Sequence, residues 1–103
     1  HNARDGYYLV NNTLAGSWEG LAKDISVMKW GGGEHARDGL VFFAERGHTQ
    51  LIAAYYDGNV GEDYRMWNAA IEGVDSIDGV MYTTWQNDFS ALEAFASCWW
   101  NRP

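Results

Sequence analysis

Gln50-Leu51-Ile52-Ala53-Ala54-Tyr55-Tyr56-Asp57-Gly58-Asn59 is an apolar run that ends in two tyrosines and falls into a turn of Asp, Gly and Asn. A run of this length, apolar on both faces and closed by turn residues, predicts a strand buried in a parallel sheet. The same design occurs on either side of it. Upstream lies Ile25-Ser26-Val27-Met28-Lys29-Trp30, followed by three glycines; downstream lies Gly79-Val80-Met81-Tyr82-Thr83-Thr84-Trp85, followed by Gln86-Asn87-Asp88. Trp30, Tyr56 and Trp85 stand 26 and 29 residues apart. That interval fits one strand, a crossover helix and two short connections, so the spacing predicts successive parallel β/α units.

The segments between the runs have helical periodicity. Ala36, Leu40, Phe43 and Ala44 share a face within residues 34–46, which Gly47 ends. Tyr64, Trp67, Ala70 and Ile71 do so within 62–73, with Glu62 and Asp63 in a first turn whose dipole favours acids. The third helix is expected to begin at Asp88 to Ser90. Ser90 and Glu93 have capping-box spacing there, and Phe89, Leu92, Ala96 and Trp99 follow at steps of three or four.

The chain reads as one α/β domain over residues 1–103: an irregular or hairpin segment over 1–24, then three β/α units over 25–103. A complete barrel of such units takes about 250 residues. With 103 residues, about half of a TIM-type barrel is expected, and half a barrel leaves two sheet edges unpaired. The missing strands would come from a longer chain, a second copy or the N-terminal segment. Fragment origin with self-association is the expectation, and a homo-oligomer would also hide Trp99 and Trp100.

Composition narrows the function classes. Fourteen acidic residues against seven basic give a net charge of −7, with no basic cluster, which argues against nucleic-acid binding. No apolar stretch reaches the roughly 18 to 20 residues that cross a bilayer, so no membrane attachment is expected. Cys98 is the single cysteine and is read as a packed residue of the last helix. His35 and Asp38 share a helical face without further ligands, so no metal is expected. Gly31-Gly32-Gly33 lacks the Lys of a phosphate-binding loop, and no cofactor is called for. His48 falls at the amino end of the second strand, where residues serve stability.

In β/α folds ligands lie at the carboxyl ends of the strands. Aromatic rings beside carboxylates and amides suit a carbohydrate, whose C–H faces stack on rings while its hydroxyls need fixed partners. The candidate binding residues are Trp30, Tyr55, Tyr56, Trp85, Asn87 and Asp88, and Asp57 is the candidate catalytic acid. Asp5, Glu19 and Asp88 are further acids for a reaction that usually needs two carboxyl groups.

Gly79-Val80-Met81-Tyr82-Thr83-Thr84-Trp85 with Leu92-Glu93-Ala94-Phe95-Ala96, together with Ala54-Tyr55-Tyr56-Asp57, resembles the C-terminal end of bacterial glycoside-hydrolase-type barrels, above all the family 20 β-N-acetylhexosaminidases. The resemblance spans residues 24–97. It implies that Tyr56 and Asp57 position the sugar's acetamido group and that Trp85 is a stacking wall. The family's catalytic Asp-Glu pair has no counterpart at a strand end here, and Asn87 stands where the family usually has a glutamate. The expectation is therefore a carbohydrate-binding barrel portion that need not catalyse, with a non-catalytic self-assembling half-barrel as the alternative.

Overall fold

The computed structural model describes residues 16–100. Its strands are β1 (Val27–Lys29), β2 (Gln50–Ala53) and β3 (Ile77–Met81); its helices are α1 (Ala36–Glu45), α2 (Val60–Ala70) and α3 (Leu92–Trp99). The strands form one sheet in the order β1-β2-β3, and both pairings are parallel. Strand and helix alternate throughout, so the chain is an α/β protein built from β/α repeats, as the 26- and 29-residue intervals predict.

Register sorts alternate residues to opposite faces, because side chains on a strand point up and down by turns. Lys29, Ile52 and Val80 lie abreast, as do Met28, Leu51 and Gly79, while Ala53 partners Met81. Asp78 is an extra residue on β3: Ile77 pairs with Gln50 and Gly79 with Leu51, so the ladder bulges there.

The helices cover the face that carries Gln50 and Ile52. Leu40, Ile52, Trp67 and Phe95 are fully buried in one cluster with Ala36, Ala54, Tyr55, Ala70 and Trp99. Burying a side chain of this size contributes about 1.5–3 kcal/mol each. Polar ties fix the layer. Gln50 Nε2 donates to Leu40 O at 2.8 Å and to Ser76 Oγ at 2.9 Å. Arg37 Nη1 reaches the carbonyls of Ala70 (3.1 Å) and Glu72 (2.6 Å), placing a cation at the carbonyl end of α2. His48 is buried at the amino end of β2, its Nδ1 3.0 Å from Ile25 O, on the side read as stabilising.

The opposite face has no such cover among the described residues. Met28 is 42% and Met81 41% exposed on the two outer strands. Parallel sheets normally bury both faces, so this side is open where another layer would ordinarily sit.

Several expectations change. The buried stripe of α3 is Phe95 and Trp99, with Ala91 and Cys98 packed alongside, rather than Phe89, Leu92, Ala96 and Trp99. The reason is where the helix starts. Ala91 is its N-cap, with no side-chain cap, so the Ser90–Glu93 capping box does not form. Ser90 N–H goes instead to Asp88 Oδ1 at 2.9 Å, and Phe89 and Leu92 are left exposed. At α2 the true cap is Asn59, whose side chain accepts Glu62 N–H at 3.0 Å. The expected hairpin falls largely on residues 1–15, outside the described residues, as does Asp5. Residues 16–20 form turns rather than the end of a strand, and Trp18 packs edge-on against Phe42 of α1 at 5.0 Å.

Candidate functional site

The open face of the sheet rises into a hollow of about 610 Å³ at the carboxyl ends of the strands. Its floor is the side chains of Met28, Ala53 and Met81; its walls are Trp30, Tyr56, Thr83 and Trp85. One aromatic wall residue follows each strand, so the parallel order brings the three rings to one end of the sheet. Trp30 and Tyr56 lie 6.3 Å apart between ring centroids, and Trp30 and Trp85 are 61% and 81% exposed. Rings so exposed do not fill the core of the described fold, and large apolar groups gathered at one rim make this surface the candidate site.

Each wall is set by its loop. Trp30 precedes Gly31, which adopts φ +77°, a left-handed conformation suited to glycine, and Gly32, where a Cβ would run into the tip of the Met66 side chain. Lys29 Nζ folds back to donate to the carbonyls of Trp30 (2.8 Å) and Gly31 (3.1 Å), and burial lowers its pKa.

Asp57 shapes the third wall. With φ 56° it turns its carboxylate across to the loop after β3. Oδ1 accepts from Thr84 Oγ1, and Oδ2 accepts from the backbone N–H of Trp85 at 2.5 Å and of Gln86 at 3.1 Å. The Thr84 hydroxyl, followed by the two amides, holds this carboxyl below its ordinary pKa against the opposing effect of desolvation. An acid so engaged stays ionised and acts as a clasp between two loops. It does not line the hollow.

The remaining candidates divide. Tyr55 faces the other way from Tyr56: it is buried in the helix-side core and stacks on Tyr82 at 4.8 Å and 16°. β2 ends at Ala53, and beyond it strict alternation lapses: Ala54 and Tyr55 both enter the helix-side core, while Tyr56 lines the hollow with Ala53. Asn87 (φ 54°) and Asp88 are exposed in the third loop and do not line the hollow. Asp88 organises that loop through Thr84 Oγ1, which accepts its N–H at 3.3 Å, and through its carbonyl, which accepts from Tyr82 Oη at 3.2 Å. The Ser90 amide and hydroxyl lower its carboxyl pKa. Glu19 lies exposed in the 16–20 turns. His35 sits between Glu34 (3.2 Å) and Asp38 (3.6 Å) on open surface, and no group of metal-ligating side chains occurs among the described residues.

Asp63 is the residue that sequence reasoning assigned only to the helix dipole. It does lie in the first turn of α2, but burial pushes its carboxyl up to about 6 from 3.8, and the nearby Trp67 indole moderates the rise. Neither Asp63 Oδ2 nor Trp67 Nε1 completes a hydrogen bond by geometry. Asp63 also raises the Tyr56 phenol, after burial, against a bond to the Gly31 backbone that lowers it. The signal was present in the sequence: an acid placed four residues before a tryptophan on the apolar face of a helix.

The fold and the site together define an α/β protein with an aromatic-walled hollow at the carboxyl end of a parallel sheet. Comparison with protein-family models, curated proteins and solved structures finds no significant match.

Proposed function

We propose that this chain is a carbohydrate-binding portion of a β/α barrel, holding its ligand at the carboxyl ends of the strands without catalysing on its own. The observation that supports this reading is the convergence of Trp30, Tyr56 and Trp85 around one hollow. Flat rings stack on the C–H faces of a pyranose, and Thr83 and the Tyr56 phenol offer polar contacts at the wall. Its volume lies within the range of about 300–1,000 Å³ typical of small-ligand sites.

Binding without catalysis follows from where the acids lie. Glycoside hydrolysis usually needs a protonated and an ionised carboxyl facing the scissile bond. Among the described residues the lining contains no carboxylate, and Asp57 is engaged in holding Trp85 in place, so we read Asp57 as a positioning residue. The resemblance to family 20 glycoside hydrolases agrees with Trp85 as a stacking wall. The test is titration with N-acetylglucosamine and other neutral sugars, read by tryptophan fluorescence. A saturable response that Trp85→Ala abolishes is expected; no response to any sugar would refute the reading.

The bare sheet face favours a second reading, self-assembly of half-barrels. Met28, Leu51 and Met81 lie on a side that a complete barrel would bury, and among the described residues nothing pairs with the outer edges of β1 and β3. A second copy laid on that face would cover these methionines and the rim tryptophans together. Sedimentation distinguishes the readings: a dimer at micromolar concentration that Met81→Lys dissociates is the expected sign of assembly, and a monomer at that concentration would exclude it.

A further inference from the structure

Trp85 is bordered by two hollows. Beyond the first, a second cavity of about 480 Å³ lies on the side of the third loop, lined by Tyr82, Thr83, Thr84, Trp85 and Phe89. Trp85 and Thr83 belong to both. The 81%-exposed indole is thus a ridge with a cavity to each side, and Phe89, 58% exposed, gives the second cavity an aromatic surface of its own. Phe89 is held beside Tyr82, with centroids 6.4 Å apart and planes 30° apart.

The chemistry of the lining limits the ligand. Among the described residues no charged side chain lines either cavity, so a neutral ligand fits these walls without unpaired charge. The hydroxyls of the second cavity direct their protons inward: Thr83 Oγ1 donates to Tyr55 O, Thr84 Oγ1 to Asp57, and Tyr82 Oη to Asp88 O. Each hydroxyl carries one proton and two acceptor lone pairs. With the protons engaged, these groups meet a ligand as acceptors. A sugar, rich in O–H donors, matches that set, whereas a proline-rich peptide offers carbonyl acceptors and few donors to an aromatic groove.

We propose that the two cavities are adjoining subsites for a neutral oligosaccharide that lies across Trp85, with Phe89 as the stacking platform of the second. The inference rests on the carbohydrate reading above and deepens it from a single sugar to a chain. Phe89 is the specificity residue for ligand length, because it touches only the second subsite.

The experiment is a calorimetric titration of the intact chain with N-acetylglucosamine and its β-linked dimer, tetramer and hexamer, and with the glucose series. Affinity is expected to rise at least tenfold from monomer to tetramer in one series. Phe89→Ala should erase that gain, and Phe89→Tyr should retain it, which separates loss of the platform from loss of the fold. Monosaccharide binding that depends on Trp85 but does not strengthen with length would overturn the two-subsite proposal and leave the first reading intact. Absence of binding by any sugar would overturn both. Competition by a proline-rich peptide at higher affinity than the tetramer would reassign the ridge to peptide recognition.

Discussion

The two faces of the sheet come from alternate residues of the same three strands, yet one is closed and the other open. On the helix side Ile52, Trp67 and Phe95 have no exposed surface; on the other, Met28 and Met81 stay about two-fifths exposed beneath two tryptophans that are mostly in water. The closed face uses its aromatic residues for cohesion, and the open face presents them. The proposed binding role and the stabilising role therefore fall on opposite sides of one layer, and substitutions should separate them.

The sharpest test compares tryptophans. Trp67→Ala empties the centre of the closed face and should cost about 3–5 kcal/mol in denaturant unfolding. Trp85→Ala should change stability by no more than about 0.5 kcal/mol while abolishing the sugar response. Equal losses of stability from the two would dissolve the division.

A smaller effect of opposite sign is expected at Asp63. Its carboxyl has a higher pKa folded (about 6) than its ordinary 3.8, so the folded state holds the proton more tightly. Stability is favoured at low pH and falls as pH rises from about 4 through 6. At 1.36 kcal/mol per unit the full difference would be about 3 kcal/mol; water reaches this partly exposed group, leaving on the order of 1 kcal/mol. Asp63→Asn should raise the melting temperature at pH 7 and flatten that limb of the pH profile.

Asp57 should act in the other direction. Its folded pKa is depressed, so the contribution of the clasp is present above 3.8 and is lost as pH falls through the folded value. Acid titration followed by Trp85 emission should show the loop loosening at the low end, a transition that Asp57→Ala eliminates. The smallest effect is expected on open surface: His35→Ala should leave stability within about 0.5 kcal/mol, because its ion pairs lie in water.

The strands and helices were legible because their apolar periods differ and turn residues separate them. Convergence of Trp30, Tyr56 and Trp85 followed from similar spacings, 26 and 29 residues, one strand and helix apart. What the sequence concealed were choices of direction and partner. Tyr55 and Tyr56 are chemically alike neighbours beyond the end of β2, where Ala54 and Tyr55 both enter the core and strand alternation no longer tells which ring does. Ser90 and Glu93 match a cap motif, but Asp88, two residues upstream, takes the Ser90 amide and the helix starts later. The Asp57 clasp joins groups 27 to 29 residues apart, beyond the reach of local pattern. Asp63 does stand in the first turn as read, but its burial was not legible, because that depends on how α2 packs.

That clasp has a consequence for recombining such proteins. Its acid belongs to the second repeat and its three donors to the third, so a splice between the two would orphan the carboxylate and slacken the neighbouring tip even if every backbone junction matched. The portable module is the pair of repeats: a chimera that exchanges residues 50–100 as a block should inherit Tyr56, Trp85 and the clasp between their loops together, whereas one exchanging a single repeat must import the corresponding Asp or Thr with it.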